Sequence, residues 1–216
     1  MATGQADVGG GGGADRISGL SDDLLHSILL RLRDTAEAAR TCILSRRWRH
    51  VWLYLPELSF LYQNEPVSAA QAHARVDAAL AAHSAIAIGR LEITIPDDGS
   101  PGMPTDSVSP WLLFALERLA GELSLSLPYD GAAHEEDELL LPPCERVTAI
   151  RFDLNCTLRF RPGGAFTALV TLEITHAGVD GHELERLVST CCPRLEELVL
   201  EWITLRDGAR RVLSIR

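Results

Sequence analysis

The 216-residue chain contains no lysine, so all 20 of its basic residues are arginine, set against 30 acids. Its surface therefore lacks the flexible ammonium groups that most proteins display. The formal charge is -10 and the isoelectric point is about 5.1. Phosphate binding needs a concentrated positive field, so this balance argues against a general nucleic-acid or anionic-membrane binder and points to protein partners.

Long apolar runs are missing too. No stretch of about 18 uncharged apolar residues can be found, and no basic segment precedes an apolar core at the N-terminus. Neither a signal peptide nor a membrane span is expected, and the expected location is cytoplasmic, nuclear or both. The five cysteines, Cys42, Cys144, Cys156, Cys191 and Cys192, are odd in number, irregularly spaced and free of any CxxC pattern. Reduced, mostly buried thiols are expected. Catalytic patterns are equally absent. His176 and His182 form neither HExxH nor a pair at metal-ligand spacing. The acidic run "EEDE" at 135–138 lacks the oxygen-rich, glycine-centred order of a calcium loop and reads as a solvated loop. Cys191 and Cys192 lie beside Pro193 at a helix end, where packing explains them better than nucleophilic chemistry. No catalytic residue, metal or cofactor is expected.

What is present is apolar periodicity. At 46% hydrophobic residues the chain can build one or two small domains with a real core. The opening "MATGQADVGGGGGAD" is an exception, and residues 1–14 are expected to be a disordered tail. Ser21 can cap a first helix running to about Leu32, with Asp22 and Asp23 in its first turn and apolar residues at helical spacing. Asp34 and Glu37 form a D-x-x-E start for a second helix through about Cys42. Ser45 can cap a third, "RRWRHVW", in which Trp48, Val51 and Trp52 alternate with arginines. An alanine-rich helix follows within residues 61–90.

Beyond it the period changes. "RLEITI" and "ELSLSLP" alternate as strands, and "VSPWLLFALERLAG" between them is helical, with Pro110 at or near its first turn. The pairs Leu123/Leu125, Ile150/Phe152, Leu172/Ile174 and Leu198/Leu200 then recur at steps of 27, 22 and 26 residues. Repeats of roughly 20–29 residues on L-x-x-L-x-L are of the leucine-rich type, each strand lining one face of a solenoid and a helix or turn covering the back. "DGHELERLVSTCCPRLEELVL" is the most regular of them. "VLSI" arrives early and no polar cap follows, so the solenoid is expected to be shortened, as in a truncated gene product.

The segment "RISGLSDDLLHSILLRLRDTAEAARTCILSRRWRHVWLYLPELSF" resembles the F-box, a short three-helix module. "LSRRWRHVWLYLPELSF", "LLLPPC" and "LERLVSTCCPRLEELVL" are similar to plant F-box proteins with leucine-rich repeats of the FBD type. The resemblance implies an α/β chain: a three-helix F-box over 15–60, a connector with the alanine-rich helix over 61–90, and a short, irregular leucine-rich-repeat solenoid, a partial horseshoe, over 91–216. It further implies a substrate adaptor of a Skp–cullin–F-box ubiquitin ligase, docked to a Skp-family linker, joined through it to a cullin scaffold, and holding a protein substrate on the repeats.

The positions matching the family's linker-contact pattern are Leu20 just before the first helix, Leu24, Leu25, Ile28, Leu29 and Leu32 in it, and Ile43, Leu44, Ser45, Trp48 and Val51 beyond it. Ser21 departs from the family's usual proline, and the FBD segment after the repeats is missing. Three alternatives stand beside this one. A repeat scaffold acting without a ligase would carry the same helices as a degenerate F-box. A DNA-reading helix built on Arg46, Arg47, Arg49 and His50 has little charge behind it, since residues 15–56 hold seven arginines against five acids. A small-molecule co-receptor would need a closed pocket that so few irregular repeats are not expected to form.

Overall fold

A computed structural model describes residues 19–43, 47–62, 66–100, 103–128, 137–161, 163–206 and 212–215. The glycine-rich tail, Leu44, Ser45 and Arg46 lie outside the described residues. Helix α1 spans Asp22–Leu30, and Ser21 caps it, its hydroxyl accepting from the Leu24 N–H at 3.4 Å. The helix stops two residues short of the expected Leu32. Its last turn tightens through bonds from Leu32 and Arg33 N–H to Leu29 and Leu30 carbonyls, and Arg33 then turns left-handed at φ 56.

Helix α2 spans Thr35–Arg40. The Asp34 carboxylate accepts from Ala36 N–H at 2.7 Å, one residue earlier than a capping box would use. A 3₁₀ turn over Thr41–Ile43 replaces the expected end of this helix. Helix α3 is a single turn, Trp48–Val51, followed by a 3₁₀ turn at Trp52–Tyr54.

Among the described residues, ten strands form one sheet. Six of them build a parallel ladder in the order β1 (Glu57–Phe60), β2 (Ile88–Thr94), β3 (Leu119–Ser126), β5 (Ala149–Asp153), β7 (Thr171–Thr175) and β9 (Glu197–Leu205). The register aligns the repeat pairs: Leu58, Leu91, Leu123, Ile150, Leu172 and Leu198 share one column. Phe60, Ile93, Leu125, Phe152, Ile174 and Leu200 share the next. All but Leu198 are buried outright, which is why the apolar period of two persists through strands otherwise unlike in sequence.

A second parallel ladder, not expected from the sequence, joins β4 (Glu138–Leu141), β6 (Thr157–Phe160), β8 (Gly178–Val179) and the far half of β9. The coils of β5 and β7 therefore carry a second strand, β6 and β8, and β9 is long enough to serve both ladders. Between the two ladders, His176 and Trp202 take positive φ of 51 and 56, and their rings stack at 6.3 Å. Strand β10 (Val212–Ile215) pairs antiparallel with β9.

Helix α4 (Ala69–Ala82) opens with a full capping box between Ser68 and Gln71, and buries Ala69, Ala72, Val76 and Leu80. Helix α5 spans Thr105–Arg118, so Pro110 is the sixth residue and not in the first turn. The ring is exposed at that point, so the lost N–H and any bend fall on the solvent side. Helix α6 (Gly181–Arg186), capped by Asp180, continues as a π-turn to Cys191. One continuous core runs from Leu25, Leu29 and Trp48 through the sheet to Ile203.

Candidate protein-docking site

Helix α1 carries two apolar stripes, each at a spacing of four. Leu25 and Leu29 face inward, 0% and 2% exposed, and join Trp48 and Val51 at 6% and 4% in the core. Leu24, Ile28 and Leu32 face outward at 52%, 41% and 38%. Ile43, in the 3₁₀ turn after α2, is exposed at 89%. Leu20 is half-buried against the core. The eleven positions matching the F-box pattern are thus divided. Four support the unit from inside, four stand in solvent, one lies between, and Leu44 and Ser45 lie outside the described residues.

Polar contacts hold the helices in this arrangement. Arg47 donates to Asp22 at 2.6 Å, tying α3 to the start of α1, and the His26 ring lies 2.9 Å from the Val51 carbonyl. Of the arginines that a DNA-reading helix would aim at phosphate, Arg47 is therefore engaged with a carboxylate. The helical unit is also fixed to the sheet. Ser84 N–H donates to Leu53 carbonyl at 2.8 Å, Gly89 N–H to Pro56 carbonyl at 2.7 Å, and Ser59 N–H to the Thr35 hydroxyl at 2.8 Å.

His83 sits at the centre of this junction. It is 2% exposed, with Nε2 3.0 Å from the Leu55 carbonyl, and it meets the Phe114 ring edge-on at 6.0 Å. Arg118 lies over that same ring and donates to the His83 carbonyl at 2.7 Å. Burial holds the imidazole below its usual pKa, the bond to Leu55 opposes the shift, and the Arg118 charge adds to it. A neutral ring donating from Nε2 fits these contacts.

The other face of the main ladder is polar. One column holds Glu57, Arg90, Glu122, Ala149, Thr171 and Glu197; the next holds Ser59, Glu92, Ser124, Arg151, Glu173 and Val199. A third holds Thr94, Ser126, Asp153, Thr175 and Glu201. Arg90 and Arg151 bracket Glu122 at 2.9 and 3.4 Å, and Arg151 reaches Glu173 at 3.7 Å. Two depressions lie on this face. One, of about 390 Å³, lies where Arg33, Asp34 and Thr35 meet Glu57, Arg90 and Glu92. The other, of about 560 Å³, lies between β7 and β9 and is lined by Glu173, Glu196, Glu197, Leu198, Val199 and Glu201.

Three of the cysteines do not resemble nucleophiles. Burial pushes Cys144 and Cys192 up to about 11 and Cys156 to about 12, so these thiols stay protonated near neutrality. Among the described residues no helix is long and apolar enough to cross a membrane.

Comparison with known proteins gives the same direction as the repeat register. An F-box/LRR-repeat protein of Arabidopsis thaliana is 30% identical, covering 87% of this chain and 52% of its own length. An F-box protein of the same plant is 34% identical over 88% of this chain and 57% of its own. A second F-box/LRR-repeat protein is 32% identical over 89% and 51%. No protein-family model and no solved structure matches. The chain spans about half the length of these relatives, and over that span it is similar to plant F-box/leucine-rich-repeat proteins.

Proposed function

We infer that the chain is a substrate adaptor of a Skp–cullin–F-box ubiquitin ligase, with residues 15–60 acting as a three-helix F-box. It works by raising the effective concentration of a target at the ligase, not by catalysing a step itself. The observation that carries this reading is the outward stripe of Leu24, Ile28 and Leu32, together with the exposed Ile43. The helix already has an inward stripe sufficient to anchor it, so a second uncovered one calls for a partner. A Skp-family linker, and through it a cullin, is the partner proposed, with the cytoplasm or nucleus as the place of action.

The inward positions Leu25, Leu29, Trp48 and Val51 are proposed to shape that surface from beneath. Ser21 stands where the family usually has proline and still serves as the helix cap. The experiment is binding of the whole chain to a purified Skp-type linker, compared with a Leu24→Asp/Ile28→Asp variant. Both positions are exposed, so the variant should keep its circular dichroism and thermal transition while losing binding. No binding by the unaltered chain would favour the scaffold reading, in which the repeats hold partners without a ligase.

A further inference from the structure

We propose that the polar face of the main ladder is a docking surface for a lysine- and arginine-rich polypeptide segment, centred on the depression between β7 and β9. The face holds seven carboxylates, one on β1, β2, β3, β5 and β7 and two on β9, against Arg90 and Arg151. Its net charge of -5 is half of the chain's formal -10, gathered on one side of one sheet. The two arginines are engaged over β2 to β7, around Glu122 and Glu173. Three of the seven carboxylates, Glu173, Glu197 and Glu201, stand together on β7 and β9.

The register there favours a cation. Glu173 pairs with Val199, Glu197 with Thr171 and Glu201 with Thr175, so no two acids stand directly opposite, where repulsion would be greatest. Glu197 and Glu201 instead occupy the two diagonals from Glu173. A strand spacing of ~4.8 Å and a two-residue rise of ~6.6 Å put each diagonal near 8 Å. A guanidinium or ammonium seated over Val199 would stand about 4.8 Å from the Glu173 backbone position and about 6.6 Å from those of Glu197 and Glu201, a span their side chains can bridge. Val199, half-buried at the centre, supplies an apolar floor for the methylene stem of the same side chain.

Trp202 adds a second kind of contact. It follows Glu201 directly, is 64% exposed, and is held at a positive φ against the His176 ring. An exposed, fixed tryptophan beside carboxylates suits an arginine or lysine, which its ring face attracts. A protein segment uses both features, and several columns of the sheet at once, whereas a lone metal ion would use neither Val199 nor Trp202.

Within the adaptor reading, on which this assignment of a substrate class rests, the pairing has a further logic. A lysine-rich target would bring acceptor amines to a scaffold that has no lysine of its own. Charge complementarity would also speed encounter and make it sensitive to salt.

The test uses the full chain and a fluorescent 15-residue peptide of alternating lysine and arginine separated by glycine, with a glutamate counterpart as control, followed by anisotropy. A Glu173→Gln/Glu197→Gln/Glu201→Gln variant is compared with Glu117→Gln/Glu145→Gln/Glu185→Gln, which removes the same charge from exposed positions elsewhere. The face variant should weaken basic-peptide binding by roughly tenfold or more, Trp202→Ala should weaken it several-fold, and the second triple variant should bind as the parent does. Equal loss in both triples would reduce the effect to net charge and overturn the proposal, as would unchanged binding in the face variant or displacement of the peptide by calcium at constant ionic strength. Binding of the Skp-type linker should be unaltered in all three variants. A parent chain that fails to bind the linker yet binds the peptide would therefore sink the adaptor reading alone.

Discussion

Replacing Gly121 by alanine tests the strand register more directly than any core truncation. A β-carbon at Gly121 would stand 2.0 Å from the Gly89 carbonyl oxygen and 2.9 Å from its carbon, both backbone atoms that no rotamer change can move. Ordinary contact begins near 3.4 Å, so β2 and β3 would have to part by more than 1 Å at their entry. That movement strains the bond from Gly89 N–H to the Pro56 carbonyl at 2.7 Å, which ties the sheet to the helical unit, and the bond from Thr148 N–H to the Gly121 carbonyl at 2.8 Å. Overpacking costs about 1–3 kcal/mol, and weakening one such hydrogen bond about 1 kcal/mol more. A total of about 2–4 kcal/mol is expected, a large part of the ~5–15 kcal/mol typical of a folded domain. Urea unfolding followed by tryptophan fluorescence should show a lower midpoint at an unchanged slope. A Gly121→Ala variant within ~0.5 kcal/mol of the parent, the range of surface substitutions, would mean that the two strands do not approach as described.

Stability should also fall as pH drops below the ordinary histidine value of 6.5, because His83 is held below it in the folded chain and the unfolded chain then binds the extra proton. A His83→Gln variant, which retains a donor for the Leu55 carbonyl, should lose part of that slope between pH 7.5 and 5.5, and an identical slope in both proteins would refute the assignment. Arg159 donates to Glu183 at 2.7 Å and to Glu138 at 3.1 Å, linking α6, β6 and β4. Because its side chain is about two-fifths exposed, Arg159→Ala should cost only about 1 kcal/mol by urea unfolding, and a loss above ~3 kcal/mol would contradict that screening. In a reconstituted ligase, ubiquitin attached to this lysine-free chain should vanish when its N-terminal amine is blocked, and a ladder that survives the block would exclude the amine as the acceptor.

The repeat ladder was legible because burial on one sheet face imposes a period of two, and the residues that showed it, from Leu123 to Leu200, are those the register aligns. The second ladder was not. Strands of two to four residues such as Gly178–Val179 are too short to display alternation, and they form because β9 and its neighbours present open edges beside them. Strand β1 was hidden for another reason: "ELSF" completes the F-box resemblance, and only its pairing with β2 reveals it as sheet. Pro110 misled because proline favours a first turn, whereas here Pro104 precedes the helix and the ring is tolerated on the exposed side.

The sequence does not sort the eleven positions that match the F-box pattern into inward and outward ones. In α1 both Leu25/Leu29 and Leu24/Ile28/Leu32 satisfy helical spacing, and only the packing of Trp48 and Val51 decides which stripe is covered. The packing therefore decides which substitutions can test docking. Leu29→Asp or Trp48→Ala would attack the core and confuse unfolding with lost contact. The acidic face escaped notice because its carboxylates are spread from residue 57 to residue 201 and come together only through the register.

The most direct test of the adaptor reading is the affinity of the whole chain for a Skp-type linker beside that of the folded Leu24→Asp/Ile28→Asp variant. Tight binding by the parent, lost in a variant whose thermal transition is unchanged, is the result expected. Equal binding by both, or none by the parent, would contradict it.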